Sequence, residues 1–311
     1  MKRLTVEAFE RARRFLRIEA RPLERALFAA RFEDASSDQV LEEVARFAND
    51  DDGFGNALEP DVQTPSSSAL ATALALKTLE ELDVSRDHPL VRTAVDWLVL
   101  TYDADAQVWR AVPHDTNDHP HAPWWHDEDG SLARTFDDFR VIPRALIVGL
   151  LCHFGAHLQT EWVEELTEKT VSCVESLEVL GEGGGSDLEY VVHLAQTDAV
   201  PESHRRRLVT RIRAAIPEVV ARGPAKWSTY CVTPLRAVPS PDSIGADLIA
   251  AELEANLEWL IDQQRPDGAW DPTWDYPYGA EMAPAHTEWR GILAMEALTK
   301  LRAFDRIDGL E

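Results

Sequence analysis

An all-α fold assembled from repeated helical hairpins is predicted by three observations. Apolar residues recur at the i, i+3, i+4 spacing of a helix through most of the chain, and strand-like alternation is almost absent. A turn tract, Gln264-Arg265-Pro266-Asp267-Gly268-Ala269-Trp270, has a degraded copy at Ala48-Asn49-Asp50-Asp51-Asp52-Gly53-Phe54. Each copy sits between two helix-like segments, so one helix-turn-helix unit has been used more than once. A repeated hairpin closes naturally into a ring of inner helices. The expectation is therefore a single (α/α) toroid of about six hairpins with a central cavity, spanning 1–311 as one domain, with a long loop insertion at 103–138.

Taken in order, the periodic segments predict helices over 6–20, 23–32, 38–47, 67–82, 89–100, 141–157, 162–177, 188–195, 202–221, 244–262 and 286–304. Superposing the two turn copies through their aromatic residue places Leu41 on Leu257, Val44 on Leu260 and Ala48 on Gln264. After the loop, Leu74 to Lys77 falls on Leu293 to Glu296, and His286 takes the position of Ser67. A fainter third copy runs from Trp97 through Asp103 and Asp105 to Trp109. Gly183 to Gly185 and the segment Gly223 to Trp227 mark two further turns. Gly268 suits a positive φ at the end of the outer helix, and the aromatic two residues on packs back against the hairpin. The Gln264 amide can cap neighbouring backbone groups and fasten adjacent hairpins. With Ala48 in its place, the first copy should be fastened less tightly.

At 311 residues and 45% hydrophobic, the chain can bury a large core. A formal charge of −24 leaves no basic stripe to displace counterions, which excludes a nucleic-acid partner. No apolar stretch approaches the roughly 20 residues of a membrane-spanning helix, and Met1-Lys2-Arg3 runs straight into an amphipathic segment, so a cytoplasmic location is expected. Cys152, Cys173 and Cys231 are odd in number and widely spaced, which fits a reducing compartment. Five lysines against 26 arginines add an arginine bias to the acidity. A halophilic surface and a GC-rich genome both account for that pattern.

Polar residues able to do chemistry cluster in three places. Glu59 and Asp61 flank Pro60 in the loop that enters a helix N-capped from Ser66 to Ser68, and could serve as an acid and base pair or only bond turn amides. The proline-broken segment after Trp109 holds four of the ten histidines within 13 residues, with Trp124 and Trp125 among them. There His119, His121, His126 and Asp127 are candidate ligands for zinc or another divalent metal, and a lid plugged by the two tryptophans is the alternative. Towards the C-terminus, Trp227, Tyr230, Trp274, Tyr276 and Tyr278 with Trp124 and Trp125 supply aromatic faces for a ligand, and His286 is a third candidate catalytic group. Cys231 has no identifiable base beside it.

The tract Gln264 to Trp270 resembles the QW motif of the terpenoid cyclase and protein prenyltransferase superfamily, and Asp51 to Gly55 followed by Ser66-Ser67-Ser68 resembles a worn copy. Phe54 to Asp61 and Pro120 to Trp125 are similar to tracts in small single-toroid prenyltransferase-like microbial proteins. The resemblance implies an (α/α) toroid whose cavity holds a hydrophobic polyprenyl or terpenoid ligand. Two family motifs are missing. There is no DxDD acid motif, since Asn49-Asp50-Asp51-Asp52 begins with the wrong residue, and Thr229-Tyr230-Cys231 lacks the Asp of the prenyltransferase zinc site. A carbohydrate-active toroid using Glu59 and Asp61 and a non-catalytic toroid that binds a protein partner remain as alternatives.

Overall fold

The structure, a computed structural model, describes residues 1–128, 142–181, 185–274 and 279–310. Its regular elements are helical, with only isolated backbone bridges among the described residues. In chain order these are α1 Val6–Ile18, α2 Pro22–Phe32, α3 Asp38–Ala45, α4 Ala69–Glu81, α5 Pro89–Leu100, α6 Arg144–Phe154, α7 Thr160–Ser176, α8 Ser186–Gln196, α9 Glu202–Val219, α10 Pro224–Trp227, α11 Pro234–Ala237, α12 Ala250–Asp262 and α13 Ala283–Ala303. Every helix expected from periodicity is present. The expected helix over 244–262 starts late because Gly245 takes φ 86° and a 3₁₀ turn, Ala246–Leu248, precedes α12. No helix among the described residues is long and apolar enough to cross a membrane.

The chain falls into two compact units. One comprises Met1–Glu43, Gly181–Gly185 and Arg213–Glu311, and the other Val44–Leu180 and Ser186–Ile212.

In the first unit α1 packs on α2 and α13, and α11 packs on α12. Thr5 caps α1 by accepting from the Ala8 amide at 3.2 Å. The two ends of the chain are stitched together: Leu4 N donates to Arg306 O (2.7 Å), Asp308 N donates to Leu4 O (2.9 Å), and Arg3 pairs with Asp305 and Asp308. The Gln264 amide does what the sequence suggested. Its Nε2 donates to Ala8 O at 2.9 Å, its Oε1 accepts from Arg11 at 3.0 Å, and the turn is thereby tied to α1. Arg290 of α13 reaches back to Asp267 and Asp271 at 2.7 and 2.8 Å and lies over the Phe15 ring.

The second unit is organised on α6, which packs against α4, α5, α7 and α8. Its residues from Arg144 through Leu151 are all buried, so apolar side chains around its whole circumference mark it as the central helix. Ser68 caps α4 by accepting from Ala71 N at 3.0 Å.

The turn copies share one geometry. The residue two before the aromatic is left-handed in each, with φ of 71° at Asp52, 59° at Gln107 and 103° at Gly268. Asp51 Oδ1 accepts from Gly53 N (3.1 Å) as Asp267 Oδ1 accepts from Ala269 N (3.2 Å), and Asn49 N to Gly53 O repeats as Arg265 N to Ala269 O. The indole explains why a tryptophan closes the turn. Trp109 Nε1 donates to Leu98 O at 2.7 Å and Trp270 Nε1 to Leu260 O at 2.8 Å, each supplying a donor to a carbonyl in the last turn of a helix, where the regular i+4 amide donors run out. Phe54 has no such donor. Asn49 makes up the fastening there by donating to Pro65 O and Ser67 Oγ at 2.9 Å, within its own loop.

Candidate functional site

In the first unit, α12 and α13 each present one face to a pocket of about 330 Å³. Asn256, Trp259, Leu260 and Gln263 follow the i, i+3, i+4, i+7 pattern on α12, and Leu293, Glu296, Ala297 and Lys300 repeat it on α13. The turn between them adds Trp270 and Trp274, and Leu235 of α11 completes the wall. The aromatic groups are mutually packed. Trp227 meets Trp259 edge-on at 5.9 Å, Trp274 meets Tyr230 at 6.2 Å and Trp289 at 4.9 Å, and Arg236 lies over the Tyr230 ring at 5.2 Å. Edge-to-face packing fixes these rings in place and leaves part of their faces for a ligand.

The charged groups of the pocket are arranged in pairs. Lys300 bonds Glu296 across one turn of α13 at 2.8 Å, and Arg265 pairs with Asp271 at 3.1 Å. Asn256 is only 1% exposed; its Oδ1 accepts from Leu235 N at 3.1 Å, while its Nδ2 is buried with no hydrogen-bond partner among the described residues. Asp267, in the turn between α12 and α13, is pulled two ways: burial works to raise its pKa, but the hydrogen bonds from Arg290 and Ala269 prevail and hold the carboxyl below its ordinary value. Cys231 is held protonated by burial, which pushes its thiol pKa up against the opposing charges of Arg236 and Lys226.

Of the aromatic residues expected to form a ligand site, Trp274 lines the pocket, while Trp227 packs on Trp259 and Tyr230 on Trp274 without lining it. Tyr276 and Tyr278 lie outside the described residues. His286 is in the first turns of α13, half-buried, two helical turns before Leu293, and does not line the pocket. It sits within α13, whereas the aligned Ser67 precedes α4, because α13 begins earlier in its repeat. Sequence reasoning missed Asn256, Trp259, Glu296 and Lys300. The signal available was a polar residue repeated within an otherwise apolar helical stripe.

In the second unit, the two other sequence clusters meet each other. Ala122 N donates to Asp61 O at 2.8 Å, Gln63 N donates to Pro120 O at 3.0 Å, and Val62 bridges to His121. Asp115 accepts from Ser66 Oγ at 2.6 Å and Thr64 Oγ1 at 3.2 Å, lacing the loops further. Beneath them Val62, Leu70, Ala111 and Val112 form a small core with Trp125 against it, while Trp124 is exposed. Asp61 is 4% exposed and Glu59 half-buried, a setting that ties loop to loop and gives solvent little access to the Asp61 carboxyl.

The histidines of this segment are engaged with one another and with the backbone. His121 Nδ1 faces the His119 carbonyl at 2.6 Å, and since a carbonyl only accepts, Nδ1 carries the proton. His121 Nε2 then accepts from His126 Nδ1 at 2.9 Å, with the rings stacked. The His119 ring lies 3.6 Å from Asp115, and the Asp127 backbone is held at both its amide and its carbonyl by Asn117. Among the described residues, no three His, Cys, Asp or Glu side chains converge to hold a metal ion. Of the expected set His119, His121, His126 and Asp127, His121 and His126 pair with each other, while His119 turns to Asp115 and the Asp127 backbone to Asn117.

No protein-family model matches the chain, and no curated protein matches it.

Proposed function

We propose that the chain is a small-molecule binding protein of the terpenoid-cyclase-like toroid type, and that a short, amphipathic isoprenoid sits in the α12–α13 pocket. The observation that carries this reading is the convergence of Trp259, Trp270 and Trp274 on one pocket of about 330 Å³. That volume falls at the small end of the range of roughly 300–1,000 Å³ typical of ligand sites, which favours a short isoprenoid over a long polyprenyl chain. Aromatic faces suit the unsaturated, methyl-studded surface of such a molecule. The hairpins and QW-like turns support the family reading from the side of the fold. The absent DxDD and Asp-x-Cys motifs point to binding without the family's two known chemistries. A carbohydrate is the second reading, favoured by the amides of Asn256 and Gln263 and the Glu296–Lys300 pair in the same wall.

Titration with farnesol and with cellobiose, followed by tryptophan fluorescence, tests both. Saturable quenching by farnesol is expected, weakened about fivefold in Trp274→Ala, the loss of one aromatic contact of about 1 kcal/mol. Saturation by cellobiose instead would transfer the site to the second reading. If neither probe saturates, the pocket is not a ligand site of either kind.

A further inference from the structure

We infer that Asn256 selects an uncharged, oxygen-bearing ligand, so that the pocket takes a neutral terpenoid alcohol, ether or ketone and discriminates against both the bare hydrocarbon and the prenyl diphosphate. This rests on the binding reading above and goes further by naming the substrate class. The orientation of the Asn256 amide is fixed by its own chemistry. Leu235 N can only donate, so the atom it meets at 3.1 Å is the amide oxygen, and the NH₂ group is left as the atom with no partner. That group is buried in a residue only 1% exposed, and the residue lines the pocket. A buried donor without an acceptor is unfavourable, and a ligand oxygen placed against it removes the penalty where a C–H group cannot.

The charge of the ligand follows from the other groups in the wall. A diphosphate would need cations free to face it, in fork or point-charge geometry. Both cations lining the pocket already have carboxylate partners, Lys300 with Glu296 and Arg265 with Asp271. The protein as a whole carries a formal charge of −24, which repels a polyanion. A neutral amide donor in a wall of tryptophan and leucine, with its cations already paired, matches a neutral oxygen.

The test compares three probes of one carbon skeleton on the full chain: farnesyl methyl ether, which can only accept, the hydrocarbon farnesene, and farnesyl diphosphate. Wild-type protein is expected to bind the ether at least about tenfold more tightly than farnesene and more tightly than the diphosphate. In Asn256→Asp, which keeps an oxygen for Leu235 N and removes the NH₂ donor, the preference of ether over farnesene is expected to disappear. Equal binding of ether and farnesene, or tightest binding of the diphosphate, overturns the inference and leaves the binding reading standing. Absence of binding by all three overturns the binding reading itself. Because the wild-type comparison decides the matter alone, a variant that does not fold leaves the test intact.

Discussion

At Gly268 the backbone takes φ 103°, and a Cβ built there would lie 2.3 Å from the carbonyl carbon and oxygen of Arg11 in α1. Gly223 takes φ 90° and ψ 152°, a region open almost only to glycine, yet an added Cβ there meets nothing within 4 Å. The pair separates backbone strain from steric conflict. Gly223→Ala should cost about 1–3 kcal/mol from conformation alone. Gly268→Ala should cost more than about 3 kcal/mol, because the turn must also withdraw from α1 and lose the Gln264 bonds to Ala8 and Arg11. Urea midpoints of the two variants check this, and equal losses would show that the contact with α1 relaxes freely. The role of Gly268 could be read from the sequence because a glycine before a turn aromatic has a local cause. That of Asn256 could not, since its amide is oriented by Leu235 N, 21 residues earlier in the chain, and a lone Asn in an apolar helix names no partner.

Among the elements, the long helices were legible because each carries a sustained apolar stripe, and their ends agree with capping residues such as Thr5 and Ser68. The short helices α10 and α11 were not, as four residues begun by a proline are too few to show a period. The pocket between α12 and α13 escaped for a related reason: two helices of one hairpin share a face only once the turn between them is built. Ion pairs between helices are likewise invisible in sequence, and one of them has a testable signature. Arg207 of α9 pairs with Glu168 (2.7 Å) and Glu175 (2.7 Å) of α7, and His204 Nε2 lies 2.9 Å from Glu168. Hydrogen bonds from Arg207, Ser172 and His204 lower the Glu168 pKa to about 2 from its ordinary value of 4.5. A carboxyl depressed in the folded state stabilises fully above its unfolded pKa, and that contribution is lost as pH falls through the folded value. Glu168→Gln should therefore lower stability near neutral pH by at most about 1 kcal/mol, since the side chain is half exposed and solvent screens the pair. The deficit relative to wild type should shrink as pH falls below about 4.5 and vanish near pH 2. A deficit independent of pH would mean that Glu168 acts through packing and not through charge.

For the whole molecule, the all-helical class was legible from periodicity, while the separation into two compact units was not, because the first unit is gathered from three stretches of chain far apart in sequence. Charge belongs to this scale too. With 55 acidic against 31 basic residues, the carboxylates exceed the Lys and Arg cations by 24, however many surface bridges form. Folding brings like charges closer than they are in the expanded chain, so their mutual repulsion opposes the compact state. Salt acts on two opposed terms. It weakens exposed pairs such as Arg213 with Asp247, each worth little, and it screens the net repulsion, whose range shortens from about 10 Å at 0.1 M to about 3 Å at 1 M ionic strength. At a net charge of −24 the second term should prevail. Raising KCl from 0.1 to 2 M should then raise the thermal midpoint by several degrees, on the scale of about 2–4 °C for each kcal/mol gained. Such a rise fits an acidic surface adapted to salt. A midpoint that stays flat would assign the excess of arginine and acid to codon composition, and one that falls would mean that the ion pairs contribute more to the fold than the repulsion takes away.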